Sequence, residues 1–233
     1  MEILDRIKYF IFPNRCIGCN CAVDRSEILC PSCHDLWEQE KTASCRHCGR
    51  SHIHCSCLLK GDEKDLVSVV YHLAEYKRDS IAGNMIIALK RKQNSDICEF
   101  LAKEFCKSAC DGEDFKNAVV TYVPRRKEVV RETGSDQALE IAKAVCRLTD
   151  KELVCCFKRK GKTDQKKLDA QGRRKNASGS YELLKNMEEQ IEGKSFFIFD
   201  DVITTGATVV ACAEILLEFG ATKVTAVSVA RRT

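Results

Sequence analysis

The sequence predicts an α/β fold with a mostly parallel sheet, preceded by a small Cys-rich module. Three observations predict it. From Leu66 onward, strand-like and helix-like apolar patterns alternate. Several strand segments are continuously apolar, as strands covered on both faces are. Nine of the 16 Cys, and four of the five His, fall within the first 57 residues.

The C-terminal elements follow in order. LVSVVYHL (66–73) reads as a strand, and 80–92 and 96–110 as helices by apolar spacing. AVVTYV (118–123) is a buried strand closed by Pro124, and Ala138 to Leu148 is helical. LVCCF (153–157) and SGSYELL (178–184) read as short strands. SFFIF (195–199) is a strand of strong β formers. Thr208 to Phe219 is a helix stopped by Gly220, and KVTAVSVA (223–230) is the last strand. Composition therefore divides the chain into a Cys-rich metal-binding module at 1–60 and an α/β domain at 61–233.

With 233 residues, 44% hydrophobic and 31% charged, the chain can bury a real core and is not disordered. Its net charge of +4 is too small to indicate nucleic acid by itself. No apolar run approaches the ~18–20 residues of a membrane span. The start, MEILDRIKYFIF, has Glu2 and Asp5 among its apolar residues and does not read as a signal peptide. A cytoplasmic protein is expected.

Reduced thiols clustered in such a compartment point to metal rather than disulfides. The pairs are Cys16/Cys19, Cys30/Cys33, Cys45/Cys48 and Cys55/Cys57. Two thiolates in one tight turn can face one ion, and two such turns complete a tetrahedron, which favours zinc. An iron–sulfur cluster or redox-active thiols are the alternatives. The simplest pairing puts the first four Cys on one ion and the last four on a second, with His47, His52 and His54 as substitutes and Cys21 spare. Such a module can be a metal-stapled mini-domain, or a docking surface for nucleic acid or a partner. The remaining Cys, at 98, 106, 110, 146, 155, 156 and 212, read as small buried hydrophobes.

The string Phe196-Phe-Ile-Phe-Asp-Asp-Val-Ile-Thr-Thr-Gly-Ala-Thr208 carries the chemistry. A buried strand delivers two carboxylates to its carboxyl end, where ligands of open parallel sheets bind. The turn that follows offers hydroxyls, N–H groups and a helix start to a phosphate, and Gly206 lets the backbone approach. Neither a P-loop nor a dinucleotide fingerprint is present.

This string resembles the phosphoribosyl pyrophosphate signature of type I phosphoribosyltransferases. The resemblance implies that Asp200 and Asp201 bind the ribose hydroxyls, and that Thr204, Thr205, Gly206, Ala207 and Thr208 bind the 5′-phosphate, with Mg²⁺ accompanying the pyrophosphate. Thr204 stands where 6-oxopurine enzymes carry an acidic acid/base, so membership of that subgroup is not expected. Nearly the whole chain resembles the ComF family of competence-associated proteins, which join a zinc ribbon to such a domain. The match runs through the Cys pairs, Lys90, Val123-Pro124, Arg131-x-x-Gly134-x-x-Gln137, Thr163-Asp-Gln165, Leu168, Arg173 and Asn176-x-x-Gly179. Thr133 and Ser135-Asp136 depart from the family's R-G-F-N-Q stretch. Lys90, Arg125, Arg126 and Arg131 are the candidate pyrophosphate contacts, since guanidinium forks suit phosphate oxygens. A solvated basic loop is the plain reading of those arginines.

Residues 158–175 hold nine Lys/Arg and two Asp, a local charge of 9 − 2 = +7. In this fold the segment corresponds to a loop that closes over pyrophosphate. It also suits an electrostatic track for single-stranded DNA through Lys158, Arg159, Lys160, Lys166, Lys167 and Arg173, or it binds nothing. The family resemblance implies handling of single-stranded DNA during natural transformation, with proteins of the uptake machinery as partners. Two functions are open: a phosphoribosyltransferase of unknown acceptor, or a non-catalytic nucleic-acid-binding module that keeps the sugar-phosphate site as a sensor. No catalytic residue is assigned.

Overall fold

A computed structural model describes residues 13–45, 48–51, 55, 57, 59, 61–90, 95–110, 112–160 and 179–232. Its centre is a four-stranded, all-parallel sheet of β3 (Val69–Glu75), β4 (Ala118–Tyr122), β7 (Ser195–Ile203) and β8 (Lys223–Arg231), in the order β3-β8-β7-β4. All carboxyl ends therefore lie along one edge. Strand β7 runs between two partners, and its side chains alternate between two cores. Phe197 and Phe199 join one apolar cluster, Phe196 and Ile198 the other. Each is at most 2% exposed, and full burial of such a side chain contributes about 1.5–3 kcal/mol.

Helices cover both faces. On the first lie α3 (Ile81–Leu89), α4 (Ser95–Phe105), the short α5 (Glu113–Lys116) and α7 (Gln137–Thr149); the second is covered by α9 (Ala207–Glu218). Helix α4 passes into a π-helical turn at Cys106–Cys110 instead of running on as α to 110. Short helices α2 (Glu63–Leu66), α6 (Lys127–Thr133) and α8 (Glu188–Ile191) complete the connections, and β5 (Phe157–Arg159) pairs antiparallel with β6 (Tyr181–Leu183).

The N-terminal segment has a small hairpin, β1 (Asn14–Arg15) with β2 (Ala22–Val23), and a 12-residue helix, α1 (Pro31–Thr42), that the sequence reading did not expect. Only Cys33 and Trp37 of α1 are buried, one turn apart, too narrow a stripe to stand out among its polar residues. This helix fastens the segment to the sheet domain. The Glu104 carboxylate, 2% exposed, accepts from Trp37 Nε1 (3.0 Å), from Lys107 Nζ (2.9 Å) and from Lys41. Glu40 accepts from the backbone N–H groups of Ile81 (2.8 Å) and Ala82 (3.0 Å), which have no partner within α3. A carboxylate there also suits the positive end of the helix dipole.

Two expectations need correction. LVCCF is not a strand throughout: Leu153 alone bridges to Val120, and pairing resumes only at Phe157. Cys155 is exposed rather than buried, its Sγ 3.4 Å from the Tyr122 hydroxyl, whereas Cys98, Cys110, Cys146, Cys156 and Cys212 are buried as expected. Among the described residues, no helix is long and apolar enough to cross a membrane.

Candidate functional site at the carboxyl edge of the sheet

Strand β7 continues through both carboxylates to Ile203, so Asp200 and Asp201 are held by ladder pairing rather than by a loose loop. Neighbours on a strand point to opposite faces. Asp200 Oδ1 accepts from the Asp201 N–H and Asp201 Oδ1 from the Val202 N–H, both at 2.8 Å. The Asp201 carboxylate also takes the Arg125 guanidinium, Nη2 to Oδ2 at 2.6 Å. Arg125 is itself positioned by Asp136, whose carboxylate accepts the Arg125 N–H at 2.8 Å and caps α7 through the Leu139 N–H. Burial, and then the charge of Asp201, push the Asp200 carboxyl well above the usual carboxylate range. Asp136 is also raised, chiefly by burial. One carboxylate of the pair is thus neutralised by a guanidinium, and the other is held against ionisation by burial and by its neighbour's charge.

The turn after β7 brings Thr204, Thr205, Gly206, Ala207 and Thr208 together over the start of α9. Gly206 has φ +76°, a left-handed conformation that side chains resist, and caps α9. Thr205 Oγ1 accepts from the Ala207 N–H at 3.4 Å. The space enclosed by Asp200, Thr204, Gly206 and Thr208 is only about 20 Å³, roughly one water's probe sphere. A Cβ added at Gly206 would come within 3.3 Å of Leu59 Cδ2, so the Cys-rich segment forms one wall of the turn.

The basic candidates are dispersed. Arg125 is in the site. Arg126 opens α6, Arg131 is exposed in the last turn of that helix, and Lys90 is exposed at the end of α3. No hydrogen bond or ion pair among the described residues ties these three to the Asp pair. Gln137, however, reaches from α7 to the end of α3, Nε2 donating to the Leu89 carbonyl at 2.9 Å. It lines a cavity of about 550 Å³ with Leu89, Cys98, Gly134, Ser135 and Glu140. Arg159, read from sequence as part of the DNA track, lies over the Tyr181 ring at 5.3 Å. Burial pushes the Tyr181 phenol up, while the Arg159 charge acts against that shift. Lys158 makes an exposed ion pair with Glu182 at 2.9 Å, and Lys160 is exposed. Lys166, Lys167, Arg173 and the 163–176 motif lie outside the described residues, as do His47, His52 and His54.

The cysteines assemble as two groups of four, Cys16/Cys19/Cys30/Cys33 and Cys45/Cys48/Cys55/Cys57. Within each, all Sγ atoms lie within 4.8 Å of one another, and both Cys19–Cys30 and Cys48–Cys55 are 3.6 Å apart. Zn–S bonds of ~2.3 Å in a tetrahedron place sulfurs ~3.8 Å apart, so both groups fit zinc. The Cys30 N–H supports the first group by donating to Cys16 Sγ at 3.3 Å. Arg231 supports the second, its Nη1 donating to Cys55 Sγ at 2.7 Å. Sequence reasoning missed Arg231, Leu59 and the Asp136–Arg125–Asp201 chain, because each joins segments far apart in the sequence.

The solved structures similar to the chain include a hypoxanthine phosphoribosyltransferase from Staphylococcus aureus in two crystal forms. The tetragonal form is 13% identical, covering 61% of this chain and 69% of that one, with a TM-score of 0.39. The orthorhombic form is 15% identical, covering 63% and 74%, with a TM-score of 0.36. No curated protein matches the chain. The family model described as "Phosphoribosyl transferase domain" matches residues 136–233. The segment that carries Asp200, Asp201 and the threonine turn thus lies within the part of the chain that matches this model.

Proposed function

We propose that the chain binds phosphoribosyl pyrophosphate with Mg²⁺ at the end of β7. Asp200 and Asp201 hold the ribose hydroxyls, and the 204–208 turn holds the 5′-phosphate. The observation that carries this is the adjacent carboxylates near the end of an internal parallel strand, followed five residues after Asp201 by a left-handed Gly that opens a helix, inside the matched region. The pair supplies oxygen ligands of the kind Mg²⁺ takes. When bound, that ion would offset pyrophosphate charge. Arg125 is the nearest guanidinium for the same task, with Lys90, Arg126 and Arg131 further contacts. The reaction is displacement of pyrophosphate at C1′ by a nucleophile. Thr204 is exposed and carries a hydroxyl rather than an acid, which favours the second reading, a site that senses the ligand without turning it over.

In this reading residues 1–60 are a zinc module and 61–233 the transferase-like domain of a ComF-like cytoplasmic protein that handles incoming single-stranded DNA. Calorimetric titration tests the central claim. Wild-type protein with Mg²⁺ should bind phosphoribosyl pyrophosphate more tightly than ribose 5-phosphate. Asp200→Asn with Asp201→Asn should lose at least tenfold in affinity, since hydrogen bonds to charged groups contribute about 1.5–3 kcal/mol each. No binding at millimolar ligand would show the reading to be wrong. Binding without pyrophosphate release, whatever base, amine or DNA is offered, would leave the sensor.

The DNA role has a separate signature. Affinity for single strands should fall with salt, by about 0.7 in the log–log slope for each phosphate contacted. Replacing Lys158, Lys160, Lys166 and Lys167 by Gln, with Arg159 kept on Tyr181, should flatten that slope by ~3 if all four touch phosphate. An unchanged slope places the track elsewhere.

A further inference from the structure

We propose that the second Cys group, Cys45/Cys48/Cys55/Cys57, positions the 204–206 turn, and that Arg231 and Leu59 are the positioning residues that join the two. The proposal rests on reading that turn as the phosphate site. Neither residue touches ligand in this scheme.

Arg231 is the last residue of β8 and is 2% exposed. Its backbone lies opposite Ile203, the last residue before the turn, and the next N–H, of Arg232, donates to the Ile203 carbonyl at 2.9 Å. Its side chain donates to Cys55 Sγ at 2.7 Å and to Cys45 Sγ at 3.5 Å. One residue therefore holds the strand that feeds the turn and two sulfurs of the Cys group. A second link runs through Leu59, two residues beyond Cys57. Leu59 is 3% exposed and belongs to the apolar cluster of Ile203, Ala207, Val209 and Val210. It also lies against Gly206, leaving 3.3 Å to an added Cβ. Leu59 is thus packed on the Gly206 backbone, which in this reading would meet the phosphate.

Charge gives Arg231 a second task. Four thiolates on one divalent zinc leave a doubly negative centre. Such a centre would repel a phosphate monoester bound at the turn. The buried guanidinium offsets part of that charge while donating to the sulfurs, as partners beyond the metal ligands do. The first Cys group has no such demand: Gly18, within it, is packed on Cys33 and Ile81 at the start of α3.

Two variants of the full zinc-loaded chain test this, read by hydrogen exchange at 203–209 and by zinc release to a chelator. Leu59→Ala keeps every metal ligand. It should retain both zinc ions while exchange at 203–209 quickens at least about tenfold and that at 81–89 is unchanged. Arg231→Gln should speed release of one zinc about 10- to 100-fold and quicken the same amides, with Arg231→Lys between it and wild type. In both variants affinity for phosphoribosyl pyrophosphate should fall about fivefold or more. Wild-type exchange at 203–209 in either Leu59→Ala or Arg231→Gln overturns the proposal. If wild-type protein binds no phosphoribosyl pyrophosphate, the ligand reading fails instead, and the exchange result still decides the positioning.

Discussion

Serine at both Cys16 and Cys33 is expected to empty the first Cys group and unfold the segment around Trp37. A structural zinc site contributes apparent free energies of about 10–16 kcal/mol, as much as the whole stability of an ordinary domain. Here the metal also organises core, because Cys16 and Cys33 share a cluster with Val23, Leu29 and Trp37 that continues into α3, α4 and α7. Trp37 is the only tryptophan in the chain, fully buried and donating to Glu104. Its emission should therefore shift to longer wavelength in the double variant, and zinc should fall from two ions per chain to one. Cys98→Ser, in α4 and outside both groups, should keep both ions. Acid should act as the variant does. The metal needs thiolates, so protons compete with it for the sulfurs and zinc leaves as the pH falls. Metal analysis that finds no zinc, or a visible iron–sulfur absorbance, would refute this account.

Gly83→Ala should be nearly as damaging, although Ala is the better helix former by about 0.8–1.0 kcal/mol. Gly83 lies in the first turn of α3, where its N–H donates to Ser80 Oγ at 3.0 Å. An added Cβ would meet the Lys77 carbonyl oxygen at 2.0 Å and that of Arg78 at 3.0 Å. Both are backbone atoms that no rotamer change can move aside. The chain would have to lift off α3 just where Glu40 caps it, so the cost should be about 3 kcal/mol or more. Urea unfolding followed through Trp37 measures it. Gly112→Ala, with nothing within 4 Å of its Cβ, should stay within about 0.5 kcal/mol of wild type. A Gly83→Ala protein as stable as wild type would refute the close approach.

Most of the sheet domain was legible in the sequence because its strands are apolar on both faces and its helices have clean stripes. The ends of β8 and α7 fall close to the residues expected, whereas β7 runs four residues past the expected Phe199, through both carboxylates to Ile203. The string 196–208 falls at the carboxyl edge of the sheet, as its order of apolar strand, carboxylates and turn implied. What stayed hidden was of three kinds. Helix α1 hides its two buried residues among charges, and α6 buries none, so periodicity had nothing to report. The apolar run LVCCF promised a full strand, but it meets β4 through the Leu153 bridge, the Val154 N–H on the Val120 carbonyl and the Cys155–Tyr122 contact rather than through a continuous ladder. The contacts of Arg231 with Cys55 and of Arg125 with Asp201 span 176 and 76 residues, and no local pattern encodes such pairs.

The Arg125–Asp201 ion pair has a consequence for selectivity. Before any ligand arrives, the carboxylate and the guanidinium satisfy each other at 2.6 Å. A sugar hydroxyl that claims Asp201 displaces Arg125, and an anion that claims Arg125 strands Asp201 beside Asp200. Either half-exchange leaves a partly buried charge without its counterpart. A molecule that carries hydroxyl donors and a polyanion on one frame replaces both partners at once. On the proposed reading, inorganic pyrophosphate or a plain sugar would replace only one, and the resting pair would discriminate against such fragments.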